Sequence, residues 1–69
     1  MPLTMADRGG EFSVRTITGK DETRKFLENL GFVEGASVSV ISEIGGNLIV
    51  SIKGSRVAID RSMASRIII

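Results

Sequence analysis

The sequence predicts a mostly β domain with one main α-helix, in which about five short strands curl into a small barrel that the helix caps. Two patterns and one limit of size lead there. Between Phe26 and Val40, Phe26, Leu27 and Leu30 share one side of a helix, Gly31 stops it, and Val38 and Val40 then alternate with Ser37 and Ser39. An apolar helical stripe has to be covered, and a period-two alternation marks a strand with one dry and one wet face. The second pattern is the return of that alternation in short runs divided by glycine-containing turns. The limit is length: 69 residues cannot cover both faces of an open sheet, whereas a curled sheet hides its own edges and lets a helix close one opening.

In chain order, Met1 to Ala6 carries Leu3, Met5 and Ala6 and fits either a short strand or a helical turn. Asp7-Arg8-Gly9-Gly10 is a turn by composition, and Glu11 to Ile17 forms one strand with Phe12 and Val14 on one face and Ser13 and Arg15 on the other. Thr18 to Asp21 ends it. Asp21 is placed to cap the helix, its carboxylate accepting from the unpaired amides of the first turn, and Glu22 adds favourable charge there. Asp21 and Lys25 have the acid-first order at i,i+4 that favours a surface pair; Arg24 and Glu28 have the same spacing in the weaker order. Gly31 can take the left-handed conformation without steric cost, which puts Phe32 where a helix-ending motif makes its apolar contact with Leu27.

Glu34-Gly35 turns the chain into the strand that carries Val38 and Val40, and Glu43 to Asn47 is a hairpin signal around Gly45-Gly46. Leu48, Val50 and Ile52 mark the dry face of the next strand, with Ile49, Ser51 and Lys53 opposite. Gly54-Ser55 connects to Arg56–Asp60, where Val57 and Ile59 alternate against Arg56, Ala58 and Asp60. Asp60 can cap a short turn through Arg61 to Ala64, and Ile67 to Ile69 makes a final buried strand. The expected whole is a single SH3-like barrel domain over residues 1–69, since the helices are too few for a three-layer α/β fold.

Composition narrows the chemistry. The chain has no cysteine and no histidine, which removes disulfides, thiolate metal sites and imidazole chemistry and agrees with a reducing, cytoplasmic setting. Nine basic and eight acidic residues leave a net charge of +1, too little for a nucleic-acid or membrane footprint. The longest apolar runs, Leu48 to Val50, Val57 to Ile59 and Ile67 to Ile69, are three residues each, against the roughly 20 needed to cross a bilayer. The first residues do not pair a charged segment with an apolar block, so no secretory signal is expected.

No catalytic residue stands out, and no enzyme activity is expected: a general base would have to be Asp, Glu or Lys, and no serine or threonine has a recognisable partner. Ser37, Ser39, Ser42 and Ser51 fall on the solvent faces of strands. Gly9-Gly10 and Gly45-Gly46 lack both the Lys-Ser/Thr ending and the strand-to-helix setting of a phosphate loop. The acids Asp7, Glu11, Asp21, Glu22, Glu28, Glu34, Glu43 and Asp60 are scattered, so neither a metal site nor a cofactor is expected.

The ordered set Leu27-x-x-Leu30-Gly31-Phe32-x-x-Gly35-x-x-Val38-x-Val40, then Gly54-x-Arg56-x-Ala58-Ile59, then Ala64-x-x-Ile67-x-Ile69, resembles the FeoA domain family over nearly the whole chain. Leu3-x-x-Ala6-x-x-Gly9 and Ile17-x-Gly19 fit the same spacing. Ala6, where a larger aliphatic residue is common, and Phe12, where a small one is usual, depart from it. The resemblance implies a small cytoplasmic bacterial barrel that works with the membrane GTPase FeoB in ferrous-iron uptake. It also brings in the same domain type fused to metal-dependent repressors, and transition-metal binding, which the donor inventory of this chain does not favour.

Two functional readings of different classes follow. One is a non-enzymatic adaptor that docks on the cytoplasmic GTPase part of FeoB. Its contacts would be Arg24, Lys25 and Glu28, on the side of the helix away from Phe26, Leu27 and Leu30, with Lys53 and Arg56 at a hairpin tip. Leu27, Leu30, Gly31, Phe32 and Gly35 would then define the fold, and Ile44 would be either an apolar anchor or core. The alternative is a small-barrel nucleic-acid module, or a stand-alone relative of the repressor domain. Against nucleic acid stand the charge balance and the assignment of all three aromatics, Phe12, Phe26 and Phe32, to the interior.

Overall fold

The structure is a computed structural model that describes residues 1–69. After a 3-10 turn at Leu3–Met5, the chain forms β1 (Glu11–Ser13), β2 (Thr16–Ile17), α1 (Glu22–Leu30), β3 (Ser37–Ile44), β4 (Asn47–Ile52), β5 (Ser55–Asp60), α2 (Arg61–Ser65) and β6 (Ile67–Ile68). Strands β1, β3, β4 and β5 make one antiparallel sheet in that order, and β2 pairs with β6 in a second.

The segment expected as one strand, Glu11 to Ile17, is therefore two, and the strand count is six rather than five. Val14 and Arg15 form the corner at which the chain leaves β3 and joins β6. The Val14 amide donates to the Ala36 carbonyl at 2.9 Å, its carbonyl accepts from the Gly35 amide at 2.8 Å, and the Arg15 amide donates to the Ile68 carbonyl at 2.7 Å. The alternation slips by one residue at this corner: Val14 is buried, Arg15 and Thr16 are both exposed, and Ile17 is buried again. At the N-terminus the helical turn is formed, and the strand alternative is reduced to one isolated bridge. Pro2 bridges to Ile68, and the turn after it drops Leu3 into the interior.

That interior holds thirteen residues, all apolar, with Phe32, Leu3, Leu27, Ile52 and Ile59 among the largest. It is built from the expected dry faces: Val38 and Val40 of β3, Leu48, Val50 and Ile52 of β4, Ile59 of β5 and Ile67 of β6. Two-residue turns set the hairpins. Gly45 and Gly46 both have positive φ, and so do Lys53 and Gly54, so the second turn sits one residue earlier than the Gly54-Ser55 step of the sequence reading. Ile44 lies exposed at the first hairpin tip rather than in the core.

Both ends of α1 follow the residues that specify them. Asp21 is extended and accepts from the Arg24 amide at 3.3 Å. At the other end Gly31 has φ 114°, its amide donating to the Glu28 carbonyl at 3.0 Å while the Phe32 amide donates to that of Leu27 at 3.1 Å. These two bonds are the Schellman pattern, and the side chains it brings together, Leu27 and Phe32, are both fully buried. Phe26 corrects the expected stripe. It is 49% exposed, while Thr23 and Leu30 flank Leu27 as half-buried residues. Successive helical residues lie about 100° apart, so a nine-residue helix resting on Leu27 turns Phe26 away from the barrel.

A side chain at Gly31 would be strained by its φ and would also crowd Lys53, whose Cγ and Cδ lie 3.3 Å from where a Cβ would stand. Gly31→Val should lower the stability measured by urea unfolding by about 1–3 kcal/mol. An unchanged unfolding midpoint would contradict this account of the helix end.

Candidate functional site

The helix ends decide what α1 presents. At its N-terminus Asp21 was expected to pair with Lys25, but it is taken by Arg66, the residue that ends α2. Arg66 Nη2 reaches Asp21 Oδ1 at 2.7 Å and Nη1 reaches Oδ2 at 3.2 Å, while Nε and Nη2 donate to the Thr18 carbonyl at 3.1 and 2.9 Å. A planar fork engaging a carboxylate in two places is stronger and more directional than a lysine pair at the surface. The guanidinium occupies the space a side chain would need at Gly19, where a Cβ would stand 1.9 Å from Nη2. Arg66's hydrogen bonds to the Asp21 carboxylate, followed by that from the Arg24 amide, hold the carboxyl below its ordinary range. Lys25 instead lies 3.9 Å from Glu22, both well exposed.

Of the expected contact residues, Arg24 and Glu28 come together, but not on a free face. Arg24 Nη1 donates to the Gly19 carbonyl at 3.0 Å, Nε stands 3.7 Å from Glu28, and the Arg24 side chain is only 34% exposed. With Arg15, Phe32 and Glu34 they line a recess of about 130 Å³ between α1 and β2. The outward face of α1 consists of Glu22, Lys25, Phe26 and Asn29. Lys53 lies over Gly31 at the far end of the helix and also borders an open groove of about 280 Å³ on the outer face of the larger sheet, with Glu11, Ser37, Ser39 and Ser51. Arg56 belongs to that sheet, paired across from Ser51, and joins neither the helix nor any ion pair. The five candidates thus divide between the recess, the outward helix face and the larger sheet, with Lys53 reaching both the helix end and the sheet groove. The fold-defining set behaves as a unit: Leu27 and Phe32 are core, Leu30 packs against it, and Gly31 and Gly35 carry the positive φ values of the turns.

Sequence reasoning missed Phe26 as a surface residue and Arg66 altogether. A stricter helical wheel centred on Leu27 would have found the first. The second had no local signal, since Asp21 and Arg66 are 45 positions apart.

The two depressions are lined differently. Ser37, Ser39 and Ser51 line an open groove in which the only charged neighbours are Glu11 and Lys53, and no histidine or cysteine exists to activate them. Nor do the donors fit a transition metal: no three acidic residues converge, and Asp21, Glu28 and Glu43 are each engaged by an arginine.

Six strands in two sheets with a docked helix and open surfaces define a small SH3-like barrel protein. The chain belongs to the FeoA domain family, whose model matches residues 1–69. It is 34% identical over 68 residues to a Methanocaldococcus jannaschii protein provisionally named Fe(2+) transport protein A, covering 99% of this chain and 83% of that one. Among solved structures it superposes on Stenotrophomonas maltophilia FeoA complexed with zinc with a TM-score of 0.86, 27% identity and coverage of 99% and 87% of the two chains. That protein is described as a procaryotic SH3 domain protein, with a role as a ferrous iron transport activating factor raised for it. Another FeoA, described as an iron uptake regulatory protein, matches with a TM-score of 0.87, 29% identity and coverage of 97% and 91%.

The Asp21–Arg66 contact has a testable pH signature. Because the folded carboxyl titrates below the ordinary aspartate value of 3.8, its contribution is full above that pH and is lost as the pH falls through the lower, folded value. Arg66→Met should therefore flatten the acid side of the stability–pH curve below 3.8. Curves of equal slope in urea titrations of parent and variant would count against the contact.

Proposed function

We propose that this chain is a non-enzymatic accessory protein of ferrous-iron uptake that acts in the cytoplasm by docking on the GTPase part of a FeoB-type membrane transporter. Membership of the FeoA family and the iron-transport names of its relatives support the setting. The observation that carries the docking reading is the half-exposed Phe26 on the outward face of α1, beside Lys25 and Asn29. Binding energy concentrates in a few aromatic and cationic side chains that a partner can desolvate, and a rigid helix presents them at little entropic cost. Iron in this reading is the transporter's cargo. The domain supplies a contact and not a coordination site.

Arg24 and Glu28 flank that face but are tied to each other and to Gly19, so they hold the helix more than they reach for a partner. Lys53, against Gly31, extends the surface at the helix C-terminus. The exposure of Phe26 removes one argument against base stacking, yet a lone aromatic next to Glu22 on a chain of net charge +1 gives neither a stacking platform nor a basic track.

A FeoB cytoplasmic domain immobilised on a sensor should capture the parent protein. Phe26→Ser and Lys25→Glu should each weaken capture, the first by about tenfold or more, with circular dichroism and melting unchanged because neither residue is in the core. Capture that is absent in the parent, or equal in folded Phe26→Ser, would overturn the docking reading.

A further inference from the structure

Strand β5 ends the larger sheet, and nothing pairs with its outer edge. It is unusual in carrying almost none of the features that keep such an edge from finding another strand. It has six residues in unbroken register with β4, no proline and no bulge. The opposite edge, β1, is three residues long.

The turn before β5 settles which backbone groups are free. In a two-residue hairpin with positive φ at both turn positions, as at Lys53 and Gly54, the flanking pair Ile52 and Ser55 exchanges both hydrogen bonds, and bonded and non-bonded pairs then alternate. Val57 and Ile59 accordingly bond to β4, while Arg56, Ala58 and Asp60 turn their backbone groups towards the open edge. The side chains of these three residues are all exposed, whereas Val57 and Ile59 point inward.

We infer that β5 pairs antiparallel with β5 of a second copy of this chain about a two-fold axis at Ala58. Directly opposite residues in an antiparallel pair point to the same face, so the outward set 56, 58, 60 must meet itself. Centring on Ala58 places Arg56 opposite Asp60 of the second copy and, by the symmetry, Asp60 opposite Arg56. Ala58 meets its own copy with both backbone bonds, and Val57 meets Ile59 on the inner face. Centring on Val57 or on Ile59 keeps the faces matched but sets a charged residue against Ala58 and leaves its complement unused. Neither charge of this reciprocal pair makes an ion pair within the single chain. Asp60 uses only Oδ1, which accepts from the Met63 amide at 2.7 Å. The edge is therefore complementary to itself in register, in charge and in the facing of its backbone. The association is concentration-dependent, since a single strand pair adds little buried area.

Sedimentation velocity over a wide range of protein concentration tests it. The parent should move from monomer to dimer as concentration rises, with added salt shifting the midpoint upward. Arg56→Glu, which sets acid against acid twice, should raise that midpoint about tenfold or more. Ala58→Pro should abolish the dimer, because its amide faces the open edge and its loss leaves the pairing with β4 intact. If Ala58→Pro does not fold by circular dichroism, Arg56→Glu alone decides. A parent that stays monomeric throughout, or a folded Arg56→Glu that dimerises like the parent, overturns the inference.

Discussion

Leu27 is the one side chain that α1 buries completely, and the orientation of the helix depends on it. Thr23 and Leu30 beside it are only half-buried, so what the helix shows to a partner is fixed only if its ends are fixed. Both are. At the N-terminus Arg66 joins the cap residue Asp21 to the Thr18 carbonyl, and at the C-terminus the left-handed Gly31 sends the chain into the core at Phe32. These are contacts of different kinds, a charge-assisted fork at one end and a backbone turn at the other, and they constrain the roll jointly.

That arrangement links the fold to its proposed use. Such a small core leaves little stability to spare, and the proposed use rests on what the surfaces present. Fixing the helix turns Phe26 outward, which costs the burial of an aromatic ring but leaves a preorganised anchor beside Lys25. The sheet offers a second and separate surface, a groove of hydroxyls running towards the open β5 edge. The two surfaces lie on different elements, with Lys53 bordering both the helix end and the groove.

Much of the fold was legible in the sequence because its signals are local. The caps Asp21 and Asp60, the helix-ending Gly31, the Gly45-Gly46 hairpin and the alternation of Leu48, Val50 and Ile52 each act within a few residues, and each appears where its chemistry places it. The division of Glu11 to Ile17 shows in the sequence only as a one-residue slip, Phe12 and Val14 being followed inward by Ile17 and not by Thr16. The Asp21–Arg66 fork was hidden because no periodicity relates residues from opposite ends of the chain. Of the candidate contacts, Lys25 is exposed but shares its face with Phe26 and does not lie opposite it, Arg24 and Glu28 are drawn into a recess, and Phe26 takes the place given to them, since a three-residue apolar stripe is wider than the line this helix buries.

The central claim is that α1, held in this roll, is the surface that meets the partner. Titrating the isotope-labelled protein with a FeoB cytoplasmic GTPase domain and following backbone amide shifts by NMR tests it directly. The account predicts the largest changes at Glu22, Lys25, Phe26 and Asn29, with the outer sheet positions Ser37, Ser39 and Ser51 unmoved. Changes concentrated on the sheet with the helix silent would contradict it.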